Sequence, residues 1–260
     1  MESISENLKK MSVYVNDVMD FNKRDRLIKY NVPFIVPGKQ IYIPGAGLSL
    51  TENYQPAKRK ADYLSPSSVC VINYIINQSS VTKTFPLRML SANLGYSAMT
   101  ISRSFDELRN FGLIAVNRTA REVIGIAELL PVTILEKALP FLKPVVKDIV
   151  YLKVQNKDLD KYVLVSGITA LSEYTDLNAG KIKSYAGNSK LLKMILEKKM
   201  AYEVIFPEDA SAEFQVWRYK PVAGAGKYSN FVDPAGLCFL FRDNEDERVQ
   251  IALDKVKKLL

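Results

Sequence analysis

Residues 86–114 constrain the fold most, because they predict two short helices joined by a tight turn. Pro86 suits the first turn of a helix, and Gly95 is expected to end that helix. Ser97 is expected to cap a second helix that Gly112 ends. Two short helices in this order predict a helix-turn-helix. Their inward positions, which recur at helical spacing, are Leu87, Leu90 and Leu94, then Ile101, Phe105 and Leu108.

The opposite face of the second helix is predicted to be polar and exposed, with Glu107 on it. A recognition helix lies in the major groove with its N-terminal residues against base edges. Small hydroxyl side chains and one early arginine suit such contacts, although an ordinary solvated helix surface has the same composition and stays an alternative. The candidate DNA-binding residues of this face are Ser97, Met99, Thr100, Arg103 and Ser104.

A β-hairpin is predicted directly after the second helix. Residues 113–116 and 123–126 are short apolar segments typical of strands, and the residues between them are polar. Arg118 and Arg121 are expected at the tip of the hairpin, where they could contact phosphate or the minor groove. Such a hairpin beside a recognition helix is the wing of a winged helix.

Two segments of this region resemble a known family. Residues 90–103 are Leu-Ser-Ala-Asn-Leu-Gly-Tyr-Ser-Ala-Met-Thr-Ile-Ser-Arg, and residues 108–114 are Leu-Arg-Asn-Phe-Gly-Leu-Ile. Together they resemble the winged helix of MarR-like bacterial regulators, over roughly residues 65–126. The resemblance implies a winged-helix fold that binds DNA, and it does not specify the operator.

The charge of the chain favours a polyanionic partner, since 36 Lys and Arg against 28 Asp and Glu give a net charge of +8. Nucleic acid is favoured over a membrane, because no apolar run reaches the ~18 residues that a spanning helix needs. The first residues lack the features of a signal peptide, so a cytoplasmic location is expected. A basic triplet before the helix-turn-helix could contact the DNA backbone or only aid solubility; it consists of Lys58, Arg59 and Lys60.

The absence of histidine excludes Ser-His-Asp and Cys-His catalysis and zinc sites that need imidazole. Cys70 and Cys238 lie in apolar segments and are predicted to be buried thiols. No cofactor and no enzymatic activity are expected. The carboxylates of Asp209 and Glu213, close to Arg218 and Lys220, keep a metal-dependent nuclease as an alternative.

The chain as a whole is predicted to have an α+β fold in three parts. Residues 1–57 are expected to form a helix and hairpin subdomain that ends in a linker starting near residue 45. Residues 58–143 are expected to form the winged helix-turn-helix domain, and residues 144–260 a C-terminal α+β domain. In the last part, strands are predicted at 147–153, 162–165, 202–206 and 213–219, and helices at 166–177, 189–199, 234–241 and 245–260.

The C-terminal part has a resemblance of its own. It contains Ser-Gly-Ile-Thr-Ala-Leu-Ser-Glu-Tyr-Thr-Asp-Leu at 166–177, Val-Asp-Pro-Ala-Gly-Leu at 232–237, Asp-Glu-Arg-Val at 246–249 and Ala-Leu at 252–253. These motifs resemble the C-terminal domain of abortive-infection type IV antitoxins, which join a winged helix to an α/β domain. The resemblance implies repression of the system's own promoter and neutralisation of a nucleotidyltransferase toxin.

The function expected from the sequence is sequence-specific binding of double-stranded DNA by a transcriptional regulator that acts as a repressor. Its C-terminal domain is expected to bind a partner. One alternative is an antitoxin whose main partner is a toxin protein, and another is a nuclease that uses the winged helix to dock. A homodimer is compatible with the sequence, and a membrane partner is not expected.

Overall fold

The computed structural model describes residues 11–17, 19, 21–51, 62–156 and 159–260. The predicted α+β fold is confirmed, with helices and three separate sheets in the described residues. The chain divides into two compact units, Met1–Ala61 and Asp62–Leu260. Within the described ranges, no helix has the length and apolar character to span a membrane. The predicted basic triplet Lys58, Arg59 and Lys60 lies outside the described residues.

In its described residues, the first unit has a four-stranded sheet and one helix, around a small core of Met19, Phe34 and Val36. The predicted helix and hairpin are both present. The fourth strand lies in the expected linker, which is a correction: leucines at 48 and 50 alternate with polar residues, and the segment pairs antiparallel with the strand before it. The elements are β1 (Tyr14–Val15), α1 (Phe21–Lys29), β2 (Phe34–Val36), β3 (Gln40–Ile43) and β4 (Leu48–Thr51).

The second unit begins with four helices and a three-stranded antiparallel sheet. Both helices of the predicted helix-turn-helix are present, and so are the two strands of the predicted hairpin. The sheet has the order β5-β7-β6, so a strand that precedes the two helices pairs with the returning strand of the hairpin. The elements are α2 (Pro66–Gln78), β5 (Thr84–Pro86), α3 (Leu87–Leu94), α4 (Ala98–Asn110), β6 (Ala115–Arg118), β7 (Val123–Ile126) and α5 (Pro131–Ala138).

The residues of the turn between α3 and α4 account for its conformation. Gly95 has a φ of +73°, a left-handed conformation that glycine adopts without a steric penalty, and its N–H donates to the Ser91 carbonyl at 3.0 Å. Ser97 caps α4, its Oγ accepting from the Thr100 N–H at 3.2 Å. The side chain of Ser91 donates to the carbonyl of Tyr96 at 2.6 Å and closes the turn. The start of α4 is therefore fixed by local contacts.

Gly125 of β7 gives a first testable expectation, because the backbone there lies against the ring of Phe105 in α4. A Cβ at this position would lie 2.8 Å from Cε1 and 2.9 Å from Cζ of that ring. We expect Gly125→Ala to lower the free energy of unfolding by about 1 to 3 kcal/mol, as overpacking of a core does. Urea denaturation measures it. Gly180→Ala is the matched control and should change little, because its Cβ would make only ordinary contacts, at 3.6 Å or more.

The rest of the second unit is a five-stranded sheet with four helices. The order is β11-β8-β12-β10-β9, and the only parallel pair in it is β10 with β12. The predicted strands and helices are recovered here with shifts of a few residues at their ends. The elements are β8 (Val146–Val154), β9 (Leu164–Ser166), α6 (Gly167–Tyr174), β10 (Lys183–Gly187), α7 (Ser189–Glu197), β11 (Ala201–Glu203), β12 (Ala212–Trp217), α8 (Pro234–Leu240) and α9 (Glu247–Lys257).

The expected boundary between residues 143 and 144 is not a division in the structure. A single hydrophobic core runs from Leu64 to Val256, across that position. The polar contacts cross it too, because Asn73 and Asn77 of α2 both donate to the carboxylate of Asp233 at the start of α8, at 3.0 and 2.5 Å. The helix-turn-helix region and the five-stranded sheet therefore form one compact unit, joined through α2.

Candidate nucleic-acid interface

Helix α4 has four sides, and three of them are in contact with the rest of the protein. The innermost side carries Ile101, Phe105 and Leu108, which are fully buried as the spacing predicted. The two flanks contact the start of α2 and the hairpin, respectively. Only the remaining side is open.

The flank toward α2 corrects part of the sequence prediction. Ser104 was expected to face outward, but it is only 1% exposed and its Oγ donates to Ser67 Oγ at 3.2 Å. The carboxylate of Glu107 accepts hydrogen bonds from the backbone N–H and hydroxyl of Ser65, at 2.7 and 2.6 Å, and from the hydroxyl of Ser68 at 2.6 Å. Both side chains hold α4 against the first turn of α2, so they do not belong to an exposed DNA-binding surface.

The flank toward the hairpin is held by Arg118 at the end of β6. Its guanidinium donates to Asp106 Oδ1 at 2.7 Å and to Ser102 Oγ at 3.2 Å, two positions one turn apart on α4. Arg109 also contacts Asp106, at 3.3 Å. These charges are partly exposed, so the pair is worth about 0 to 1 kcal/mol and can be exchanged for another partner. Arg118 thus lies against α4 in a weak ion pair, and its guanidinium can still bind another anionic group.

Arg121 lies in the tight loop that connects the two hairpin strands. Thr119 and Glu122 close this loop through reciprocal bonds, from the Thr119 N–H to the Glu122 carbonyl at 2.9 Å and from the Glu122 N–H to Thr119 Oγ1 at 3.1 Å. The Arg121 side chain is exposed and makes no hydrogen bond or ion pair with the described residues. It is therefore a cation without a partner among the described residues, on a loop that two hydrogen bonds close.

The open side of α4 carries Met99 and Arg103. They lie four residues apart, so their side chains are neighbours on one helix face. Met99 is 64% exposed, and Arg103 is exposed with no hydrogen bond or ion pair to the described residues. Ser97 and Thr100 border this side, but their hydroxyls lie 2.9 Å apart and take part in the helix cap. Of the five residues predicted on α4 and its cap, Met99 and Arg103 have side chains free to contact a ligand.

One further arginine was not identified from the sequence. Arg88 is exposed on α3, the helix before the turn. In a helix-turn-helix the first helix crosses the DNA backbone, so an exposed cation there can contact phosphate. The available signal was its position off the apolar stripe Leu87, Leu90 and Leu94. Arg88 joins the candidate residues.

Asp209 and Glu213, the two carboxylates that kept a nuclease as an alternative, lie in different environments. Glu213 lies on β12, and its Oε1 accepts from Ser184 Oγ at 2.7 Å and from Gln215 Nε2 at 3.0 Å. Asp209 is exposed in the short turn Pro207–Asp209. Across the described ranges, His, Cys, Asp and Glu side chains form no group of three or more suited to a metal ion. The geometry gives these two residues no shared site.

Both cysteines are buried and unbridged, which confirms the prediction for them. Burial raises the pKa of the Cys70 and Cys238 thiols to about 12. Thiols with such a pKa are protonated at neutral pH and are poor nucleophiles. Cys70 and Cys238 therefore act in packing.

A surface cavity of about 410 Å³ lies at the carboxyl ends of the parallel strands β10 and β12. Asp160 at its margin is bound by Lys183 and by the hydroxyl of Tyr185, the latter at 2.6 Å. Burial raises the pKa of the Asp160 carboxyl, but these two hydrogen bonds outweigh that effect and lower it. The carboxylate is thus ionised and already paired.

Comparisons of the chain with protein-family profiles, with curated proteins and with solved structures returned no match.

Proposed function

We propose that residues 65–127 form a winged helix that binds double-stranded DNA, and that the protein is a cytoplasmic, sequence-specific transcriptional regulator acting as a repressor. The observation that supports this most is the open side of α4. Three sides of the helix are packed, and the fourth presents Met99 together with Arg103, which has no ion-pair partner among the described residues. No catalytic step and no cofactor are part of the proposal.

The arrangement suits α4 in the major groove. Arg103 lies in the second turn of the helix, and an arginine there can donate two hydrogen bonds to O6 and N7 of a guanine. The hairpin lies alongside, where Arg121 and Arg118 can contact phosphates or the minor groove. Arg118 loses little when it leaves Asp106, since that pair is exposed. The base contacts of α4 would then supply specificity, and the phosphate contacts of the hairpin would supply affinity.

The C-terminal part has a feature that favours a protein partner as well. Ile205 and Phe206, just after the edge strand β11, are 87% and 62% exposed. Tyr202 on β11 and Ile149 on the neighbouring β8 are also exposed. Several exposed apolar side chains at one edge of a sheet are typical of interaction sites. This is the surface that would bind the toxin if the protein is an antitoxin, the second candidate function.

Selection of bound sequences from random duplex DNA tests the proposed function. We expect the purified chain to enrich one consensus that contains a guanine, because Arg103 makes a base-specific contact. A homodimer would enrich an inverted repeat with half-sites about one helical turn, or a multiple of it, apart. Recovery of unenriched DNA after repeated rounds, from a folded protein, would contradict the proposal.

A further inference from the structure

Met99 is the only large apolar side chain of α4 that is exposed, and it stands at the end of the helix that enters the groove first. The other large apolar residues of this helix, Ile101, Phe105 and Leu108, are fully buried. The side chain of Met99 therefore needs an apolar partner from outside the described residues if it is to leave water. What that partner is follows from the surroundings of the side chain.

The neighbours of Met99 leave it no other role within the fold. Ser97 and Thr100, on either side, are engaged with each other and with the cap. Ser102 and Asp106, three and seven residues after Met99 on the adjoining side of α4, are occupied by Arg118 of the hairpin. Met99 and Arg103 consequently act as a pair, one apolar and one cationic, that faces the same ligand surface.

The floor of the major groove offers hydrogen-bond donors and acceptors, together with one apolar group, the 5-methyl of thymine. We infer that Met99 is a specificity-determining residue that recognises a thymine through this methyl group, next to the guanine recognised by Arg103. The inference rests on the proposed function and adds the identity of a second base. It assigns the contact of Met99 to the 5-methyl group of one thymine.

The spacing of the two residues fixes where the thymine lies. Four residues of helix rise about 6 Å, and successive base pairs rise about 3.4 Å. The thymine is therefore expected within two base pairs of the guanine whose recognition depends on Arg103. A selected consensus with no thymine at those positions overturns the inference.

Deoxyuridine provides the test, because it removes the 5-methyl of thymine and leaves base pairing unchanged. In the selected duplex, replacing that thymine by deoxyuridine should weaken binding of the unaltered protein about fourfold, the value of one buried methyl group. Met99→Ala should weaken binding to the thymine duplex by at least as much and bind both duplexes equally. Met99→Leu, which stays apolar, should keep a preference for thymine.

Leu130→Ala is the matched control, since Leu130 is equally exposed, at 70%, outside α4. It should behave as the unaltered protein on both duplexes. The double-mutant cycle formed by Met99→Ala and deoxyuridine isolates the contact. Equal deoxyuridine effects in the unaltered protein and in Met99→Ala, or no effect in either, would refute the inference while leaving DNA binding intact. Failure to enrich any sequence refutes it together with the proposed function.

Discussion

Replacing Asp233 by alanine is expected to lower the free energy of unfolding by about 2 to 4 kcal/mol at pH 7. The carboxylate is fully buried and accepts from Asn73, from Asn77 and from the Gly236 N–H, the last at 2.8 Å. Alanine would leave buried amide donors without acceptors, at about 1 to 3 kcal/mol for each unsatisfied group, and would remove the cap of α8. The variant would also be relieved of the cost of burying a carboxylate away from water, which limits the loss.

Asp246→Ala is the matched control, because Asp246 also caps a helix but is exposed. Its Oδ1 accepts from the Arg248 N–H at 2.9 Å. We expect a loss of about 1 kcal/mol there, the usual value for an N-cap. Denaturant unfolding of both variants measures the difference. Equal losses would mean that the link between α2 and α8 does not stabilise the unit beyond the cap.

The same carboxyl makes stability depend on pH. Burial raises the pKa of Asp233 to about 6, against the opposing effect of hydrogen bonds from Gly236, Asn77 and Asn73, whereas an exposed aspartate titrates at 3.8. Between these values the folded state holds a proton that the unfolded state has released. Stability should therefore fall as the pH rises from about 4 through 6. Asp233→Asn cannot titrate and should remove this contribution from the curve.

Replacing Arg103 by alanine is expected to weaken binding to the selected duplex by about 1 to 3 kcal/mol, or roughly 5- to 150-fold. The guanidinium has no partner among the described residues, so its removal disturbs no contact that holds the fold. The loss should be confined to the selected site, and the preference for one guanine should relax. Electrophoretic mobility shift or fluorescence anisotropy titrations with single-position variants of the duplex measure both effects.

Arg109→Ala controls for the loss of a positive charge from the same helix. Arg109 is exposed near the C-terminal end of α4 and contacts Asp106 at 3.3 Å. It lies on the hairpin flank, away from the groove-facing tip of α4, so its removal should leave base preference unchanged. A relaxed preference in Arg109→Ala that matches that of Arg103→Ala would show that charge, and not position, accounts for the effect.

Local signals in the sequence were sufficient for the elements around the candidate site. Gly95 and Ser97 determine the turn and the start of α4 through contacts within a few residues, so their roles could be predicted. The stripe of Ile101, Phe105 and Leu108 follows from helical spacing alone.

Long-range polar contacts could not be predicted in the same way. Ser104 and Glu107 look like surface residues by spacing, but α2 covers them through serines 37 to 42 positions earlier in the chain. Asn73 can be buried because it donates a hydrogen bond to Asp233. Asp233 lies 160 residues away, so the local sequence does not reveal this partner. The wrong prediction of a domain boundary near residue 143 has the same cause. Helix periodicity does not show which later element a helix will pack against.

Ser166 illustrates a correct position with a different role. It stands at the N-cap of α6, where the predicted helix 166–177 begins, but its side chain does not cap the helix. Its hydroxyl donates at 2.9 Å to Oε1 of Gln215, which lies on β12 of the same sheet. The orientation of this side chain is set by a partner 49 residues away, which the local sequence does not show.

The central claim is that the open side of α4 recognises sequence while the hairpin binds the backbone. Binding of the unaltered protein, Arg103→Ala and Arg121→Ala to the selected and a scrambled duplex, across a salt series, tests it most directly. Arg103→Ala should reduce the ratio of the two affinities. Arg121→Ala should weaken both alike and reduce the salt slope by about one. An unchanged ratio in Arg103→Ala, together with a lost preference in Arg121→Ala, would contradict the claim and assign sequence recognition to the hairpin.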